Sequence, residues 1–407
     1  MRLTGSNPEL TRGFNRRVVL EAVRLHGPLS RADLARMTGL SAQAISNIAD
    51  QLLGDGLLIE ERRRSGARGQ PPLELALNPT GGHTLDLSLD YDRLGAALVD
   101  LAGNVVATRQ VGLGRTAAGT VLKTIEQTVA RLVRSAGIDR TRVLGAGLVV
   151  PALFEAGNVV AFGPSGIPGL EGLPLAQLLS QRLEMPVLVE NDATAAAIGE
   201  HLYGHGRGLR DFIYIYFGVG LGSGIFIAGQ PHRGVTGKAG ELGHVIVEPD
   251  GRPCPCGNRG CLERYVSLSA AMAAVRKGAP NGQPIDPDEL TRRLAEKDTA
   301  ILAWLDLAAG HLRTAIAMIE NLLEPQTIIL GGLAPDPLLD ALLARLQPLL
   351  PSVRDRADRS LPRVQKAKAG LETPTLGAAA LPLFRSIAPH LGLVQGTLPA
   401  SVAAEAG

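Results

Sequence analysis

The chain has 407 residues, 45% hydrophobic and 20% charged, with a formal net charge of +2. That length predicts two or three domains, and that composition excludes an intrinsically disordered chain. No uninterrupted apolar run reaches the about 18 residues of a membrane-spanning helix, the first residues lack a secretory signal, and three cysteines cannot frame a disulfide scaffold, so a reduced, cytoplasmic setting without a membrane is expected.

Residues 1–80 carry 11 arginines against 8 acidic side chains, and Arg62, Arg63, Arg64 and Arg68 crowd into one glycine-bearing stretch. From Asn15 to His26, the residues Val18, Val19, Ala22, Val23 and Leu25 recur at helical spacing until Gly27-Pro28 stops the helix. Ser30-x-x-Asp33 reads as a capping box opening a short second helix with Leu34, Ala35 and Met37. Gly39 gives the next corner its backbone freedom. Ser41 caps a third helix, which buries Ile45, Ile48, Leu52 and Leu53 and ends at Asp55-Gly56. Its other face shows Gln43, Ala44, Ser46 and Asn47, small or amide side chains able to approach base edges. Leu57–Glu60 and Leu73–Leu77 read as strands flanking the arginine loop.

Three helices, a tight turn and a basic hairpin predict a winged helix-turn-helix. The third helix, from Ser41 onward, would enter the major groove of double-stranded DNA, and the wing of Arg62, Arg63, Arg64 and Arg68 would meet phosphate or the minor groove. Three helices alone fit a protein-interaction domain equally well; the glycine turn and the arginine wing favour DNA. Asn78-Pro79-Thr80-Gly81-Gly82 marks the boundary.

Beyond residue 82, strands and helices alternate. His83–Asp90, Leu94–Asp100 and Val105–Val111 predict a meander turning at Tyr91-Asp92, Thr120–Ala136 a helix, and Val143–Val150 a strand buried on both faces. Leu175–Leu183 reads as a helix, Val187–Glu190 as a strand and Ala193–Glu200 as a helix start. A second meander follows, with Phe212–Phe217, Gly224–Ala228 and a polar hairpin. A long helix over Thr299–Leu323, holding the only tryptophan, Trp304, leads to a strand Thr327–Leu330 closed by Gly331-Gly332. The pattern predicts two similar α/β lobes.

The three cysteines lie within Cys254-Pro-Cys256-Gly-Asn-Arg-Gly-Cys261, where Pro255 and two glycines bend the chain. Three thiolates leave a tetrahedral zinc one ligand short, and His244, ten residues upstream, is the nearest histidine. One zinc per chain on His244, Cys254, Cys256 and Cys261 is expected, and four protein ligands make it structural. Buried free thiols are the alternative. Glu241, Glu263 and Glu190-Asn191-Asp192 lie nearby in sequence or at a strand end, where α/β folds bind ligands. Such carboxylates and amides suit a neutral polyol.

Glu190-Asn191-Asp192-Ala193, the loop Gly218–Gly224, Gly240-Glu241-Leu242-Gly243-His244 and Cys254-x-Cys256-Gly257-x-x-Gly260-Cys261-x-Glu263 together resemble the ROK family of sugar kinases and sugar-responsive repressors. The resemblance spans about residues 14–390, because the repressor branch also carries an N-terminal winged helix-turn-helix. It implies a two-lobed actin-like ATPase domain of ribonuclease H-like topology. The expected partition is 1–80 for the DNA-binding head, 81–200 for the first lobe, completed by about 376–395, and 201–375 for the second lobe with the zinc site and an oligomerisation surface. Residue by residue it implies Asn191, Asp192, Glu241, His244 and Glu263 around a sugar. One ring nitrogen of His244 would face the metal and the other the sugar hydroxyls.

Departures separate the branches. Family kinases open the first lobe with Asp-Ile-Gly-Gly-Thr-Lys, a backbone nest for ATP phosphate; this chain has Ser88-Leu89-Asp90-Tyr91-Asp92-Arg93 by position. Both glycines are gone, and two carboxylates stand where like charge costs about 1 kcal/mol or more per pair at 4 Å. Val219 replaces a phosphate-contacting threonine, so Gly218–Gly224 reads as a structural turn, and Gly166 stands near a usual sugar-contacting asparagine. The expected protein is therefore a non-enzymatic, sugar-responsive transcriptional regulator, a repressor, acting as a homodimer or homotetramer on an inverted-repeat operator. An ATP-dependent sugar kinase of hexokinase type is the second reading.

Overall fold

The computed structural model describes residues 8–62, 73–90, 93–114, 117–150, 152–155, 158–162, 169–170, 172–276, 286–353, 359–368 and 373–387. Arg63, Arg64, Arg68, Tyr91, Asp92 and Gly166 lie outside them. The chain forms two compact units, one of Met1–Ala152, Ala156–Val189 and Ala378–Gly407, the other of Leu153–Glu155 and Glu190–Gly377.

The first unit opens with α1 (Pro8–His26), α2 (Arg31–Thr38) and α3 (Ala42–Gly54). The α1 helix starts seven residues before Asn15, the expected beginning. Ser30 and Asp33 close the capping box: the Asp33 N–H donates to Ser30 Oγ at 3.1 Å and the Ser30 N–H to Asp33 Oδ2 at 3.4 Å. Gly39 ends α2 at φ +72°, and Ser41 Oγ caps α3 by accepting from the Ala44 N–H at 3.2 Å. Apolar spacing then does the packing. Val19, Val23, Leu34, Ile45, Ile48, Ala49 and Leu52 are buried; Leu53, expected among them, is half-buried, and Ala49 takes its place.

Strands β1 (Leu58–Arg62) and β2 (Leu73–Leu77) pair antiparallel from Leu58↔Leu77 to Arg62↔Leu73. Leu29 adds a bridge to Leu75, tying the α1–α2 corner to the hairpin. This is a winged helix-turn-helix. A 3-10 turn over Pro79–Gly81 leads to the next sheet.

That sheet contains β3 (His83–Asp90), β4 (Arg93–Asp100), β5 (Val105–Gly112) and β6 (Val143–Val149), with α4 (Ala118–Ser135) as the crossover. The short strands β7 (Ala152–Glu155) and β8 (Asn158–Phe162), helix α5 (Leu175–Leu183) and strand β9 (Val187–Glu190) follow. The order is β5-β4-β3-β6-β9, with β3–β4–β5 antiparallel and β3–β6 parallel. One face of α4 supplies Val121, Ile125, Val129 and Leu132 to the core.

The second unit repeats the plan. Helix α6 (Asp192–Tyr203) precedes the meander β10 (Phe212–Phe217), β11 (Leu221–Ile227) and β12 (Gln230–Pro231). Helices α7 (Leu268–Val275), α8 (Pro287–Ala295) and α9 (Thr299–Leu323) lead to β13 (Thr327–Gly332), and α10 (Asp336–Arg345) to β14 (Val364–Lys366). Helix α11 (Thr373–Ile387) closes the described chain. The sheet order, β12-β11-β10-β13-β14, matches the first sheet position by position. The parallel crossover between β10 and β13 corresponds to that between β3 and β6.

Strand β11 starts at Leu221, three residues before the expected Gly224, so Gly222 and Gly224 are strand residues rather than loop. A Cβ on Gly224 would stand 2.5 Å from Ala197 Cβ: the glycines let α6 lie close on the strand. Likewise Gly331 and Gly332 belong to β13 instead of closing it. By length and mean hydropathy, 1.2, α9 could cross a membrane. Its buried Ile301, Trp304, Leu305, Ala308, Leu312 and Ile316 instead fill the core between α7, α10 and the sheet.

Candidate functional site

In the head, Gln43 and Asn47 are exposed on α3, one turn apart, with Ala44 and Ser46 half-buried between them. Gln43 Nε2 donates to Asn47 Oδ1 at 3.0 Å, so the two amides are oriented together. Ser41 spends its hydroxyl on the helix cap. Arg62 is exposed at the outer end of β1, where the wing begins.

In the second unit the chain doubles back on itself around β11. Gly240 sits at φ +99°, and its carbonyl accepts from both the N–H and the Oγ of Ser223, at 2.9 Å each. A Cβ on Gly243 would stand 2.2 Å from the Leu221 carbonyl oxygen. That close approach requires the second glycine of Gly240-Glu241-Leu242-Gly243-His244. A 3-10 turn, Leu242–His244, then presents His244. The Cys254–Cys261 segment is a tight knuckle: Gly257 N–H bonds the Cys254 carbonyl at 3.0 Å, Cys254 N–H bonds the Asn258 carbonyl at 2.9 Å, and Ile246 bridges Cys261.

The four expected metal ligands converge. One donor atom from each of His244, Cys254, Cys256 and Cys261 lies within 4.8 Å of all the others. His244 Nδ1 stands 3.6 Å from Cys254 Sγ, and Cys256 Sγ 3.6 Å from Cys261 Sγ. A tetrahedron of 2.3 Å zinc–sulfur bonds has edges of about 3.8 Å, near the two 3.6 Å pairs, and the four side chains together could hold a metal ion. Burial pushes the Cys254 and Cys261 thiols up, whereas the exposed Cys256, facing the Asn258 N–H, is pulled down to about 7. A bound divalent cation would stabilise all three as thiolates.

The other edge of the imidazole faces carboxylate: His244 Nε2 is 3.8 Å from Glu241 Oε2. Glu263 lies on the cysteine side, its Oε1 3.2 Å from Cys254 Sγ and 3.8 Å from His244 Nδ1. Enclosure by the protein raises the Glu241 carboxyl pKa although 42% of that side chain is open to solvent; His244 opposes the shift and Glu263 adds to it.

Asn191 and Asp192 open α6. Asn191 Oδ1 caps the helix, accepting from the Thr194 N–H at 2.7 Å, and Asp192 Oδ1 accepts from the Ala193 N–H at 2.8 Å. Residues at the start of β11 join them to the rest. A Cβ on Gly222 would lie 3.1 Å from Ala193 Cβ, and one on Gly220 3.0 Å from Glu263 Oε2. Gly220, Leu221 and Gly222 thus touch Glu263, Gly243 and the α6 start in succession. The loop before them is occupied from behind: the Ser269 hydroxyl donates to the Val219 carbonyl at 2.7 Å and the Leu268 N–H to that of Gly218 at 2.9 Å.

Arg233 is an addition to the expected set. Its guanidinium Nε donates to the buried Glu190 Oε2 at 2.9 Å, and Glu190 Oε1 in turn accepts from the Asn191 N–H at 3.1 Å. This pair holds the backbone at which Asn191 and Asp192 project. Arg233 lies in a polar hairpin with no local pattern to mark it; Glu190, next to the two site residues, was the available signal.

The sequence pattern of the ROK family matches residues 88–384, and that of the MarR family residues 15–69. The xylose repressor of Bacillus spizizenii is 26% identical over 316 residues, covering 78% of this chain and 81% of that protein. The DNA-binding transcriptional repressor Mlc of Escherichia coli is 26% identical over 314 residues, covering 75% and 77%. A crystal structure described as a ROK family transcriptional regulator, homolog of E. coli MLC protein, has a TM-score of 0.73 at 25% identity and covers 93% of this chain and 98% of its own. A ROK family glucokinase from Streptomyces griseus, in complex with glucose and AMPPNP, has a TM-score of 0.59 at 28% identity and covers 74% and 99%. Similarity to the regulator thus covers more of this chain than similarity to the kinase, and the chain belongs to the ROK family.

Proposed function

We propose that the protein is a sugar-responsive DNA-binding transcriptional repressor whose kinase-like lobes sense a sugar without phosphorylating it. The carrying observation is the union, in one chain, of a winged helix-turn-helix presenting Gln43 and Asn47 with a ROK domain presenting Glu241, His244 and Glu263 around one imidazole. Asn191 and Asp192 complete the sugar set, and His244, Cys254, Cys256 and Cys261 hold one structural zinc, which orients the imidazole toward the ligand. Ser41, Gln43, Ala44, Ser46 and Asn47 form the base-reading face, and Arg62, Arg63, Arg64 and Arg68 the phosphate-binding wing. The head comprises 1–80, the first lobe 81–200 with about 376–395, and the second 201–375. The working form is a cytoplasmic homodimer or homotetramer on an inverted repeat.

Absence of turnover follows from the opening hairpin. Ser88 lies opposite Gly95 across β3–β4, where family kinases start their phosphate nest, and the nest glycines are replaced in sequence by Asp90 and Tyr91. The second reading, an ATP-dependent sugar kinase, draws on the retained Asp192 and on the likeness to the glucokinase. One experiment separates them: operator binding and sugar-phosphate release are followed in parallel across a panel of free sugars with ATP. A sugar-dependent shift in operator affinity without product supports the repressor; steady product formation supports the kinase.

A further inference from the structure

Within the first unit a cavity of about 470 Å³ separates the head from the sheet that follows it, inside the roughly 300–1,000 Å³ range of small-molecule sites. The head lines it with Arg16, Arg17 and Arg24 from α1, and the lobe with Arg142 from the turn before β6. Leu20, Leu57, Leu101 and Leu144 provide apolar wall. Asp55 is the acidic residue among the lining side chains, and Arg16 is bonded to it. Arg24 is buried and clamped by Glu21 through two bonds of 2.7 Å.

The other two guanidinium groups differ. Among the described residues, half-buried Arg17 has no acidic partner, and the Arg142 guanidinium reaches a neutral acceptor, the Gly81 carbonyl, at a long 3.5 Å. Among the described residues, Arg17 and Arg142 therefore line one partly apolar space, from the head and from the lobe, without a salt bridge, although the nearby Asp139 carboxylate acts electrostatically on Arg142. Guanidinium forks at such a position match the paired oxygens of a carboxylate or phosphate.

The frame around the cavity is fixed. Asn78 Nδ2 donates to the Gly56 carbonyl at 2.7 Å, the Leu101 N–H donates to the Pro79 carbonyl at 3.0 Å, and a Cβ on Gly81 would stand 2.1 Å from the Gly56 oxygen. The connecting turn is thus strapped to both walls, and the space is preorganised.

We propose that this cavity is a second effector site, separate from the sugar-binding residues, that takes a small organic anion carrying a phosphate or carboxylate group. Arg17 and Arg142 pair with the anionic group, and the leucines cover its carbon part. An occupant bonded to both arginines joins the head to the lobe.

Isothermal titration of the full-length protein at fixed ionic strength tests this, with inorganic phosphate, glucose 6-phosphate and glucose as probes. One anion per chain should bind, with a Kd of about 1 mM or tighter. Arg17→Ala with Arg142→Ala should weaken it at least about tenfold, the worth of one charge-assisted bond. Leu144→Trp, which keeps every charge but fills the space, should abolish it. Asp192→Asn should leave it unchanged, which separates this site from the sugar site. Binding of glucose 6-phosphate but not phosphate would identify the ester as the ligand class; binding of both, the bare anion. Silence of both anionic probes overturns the proposal. So does affinity that survives the arginine and Leu144→Trp changes, or affinity lost in Asp192→Asn alone.

Discussion

Gln43 donates its side-chain amide to Asn47 one turn further along α3, at 3.0 Å, so the two exposed amides form one unit. Each keeps donor and acceptor groups to offer a base edge. Gln43→Ala and Asn47→Ala should each lower operator discrimination by about 1–3 kcal/mol. Because the side chains are bonded to each other, the double substitution should cost less than the sum. Competition binding against a mismatched operator, run as a double-mutant cycle, reads both quantities. Strict additivity would assign the amides separate tasks.

The wing should act differently. Replacing Arg62, Arg63 and Arg64 with alanine should weaken all DNA sequences alike and flatten the plot of log affinity against log salt by roughly 0.9 per lost phosphate contact. Titrations at several salt concentrations check this. An unchanged slope would remove the wing from the interface.

Protein purified without added zinc should contain one zinc per chain, and Cys256→Ser should lose it together with stability. Elemental analysis and thermal denaturation measure the two effects. Metal near zero in intact wild-type protein would leave the four converging side chains as a thiol cluster and end the zinc assignment.

Asp192→Asn should blunt the response of operator affinity to sugar while leaving affinity without sugar nearly intact. A ligand moves a two-state equilibrium only by its differential affinity for the two states, so weakening that difference weakens the response. Operator titrations with and without saturating sugar give the comparison. Equal loss with and without sugar would mean a folding defect instead.

Ser30→Ala removes the hydroxyl's two bonds in the α2 capping box and leaves the backbone N–H bond to Asp33, at a cost of about 1 kcal/mol, which is roughly fivefold faster local hydrogen exchange. The Ser30 hydroxyl and N–H hold the Asp33 carboxyl below its ordinary value of 3.8. A depressed carboxylate contributes above its unfolded pKa, and that contribution fades as pH falls through the folded one. The substitution should therefore accelerate exchange over 30–38 at neutral pH, and its effect should shrink below the ordinary carboxylate range. Exchange mass spectrometry on the full chain checks both.

The head was the most legible part, because its signals are local. Ser30 and Asp33 are three residues apart, Gly39 must be left-handed, and Ile45, Ile48 and Leu52 follow one helical period. The convergence of His244, Cys254, Cys256 and Cys261 was legible because metal-ligand chemistry restricts such sets to few residue types. Four helices of the second half carried weaker marks. Helix α7 is apolar nearly all round and shows no period, and α11 contains Pro382, an interior breaker. Helix α8 does open on Asp286-Pro287, where Asp286 accepts from the Asp288 and Glu289 N–H groups. Helix α10 has Pro337 in its first turn. The Arg233–Glu190 pair joins positions 43 residues apart, and such contacts leave no periodic trace.

The matching order of the two sheets makes their unequal loops comparable. Between its third meander strand and its parallel partner the first lobe spends residues 113–142, carrying α4 and one 3-10 turn. The second spends residues 232–326 on the same crossing, and these hold Glu241, His244, all three cysteines and Glu263, with α7, α8 and α9. The lobes share a chassis, and one crossing carries most of the proposed instrument. Editing that single crossing would therefore change Glu241, His244 and Glu263 while Asn191, Asp192 and the strands that both lobes have in common stay as they are.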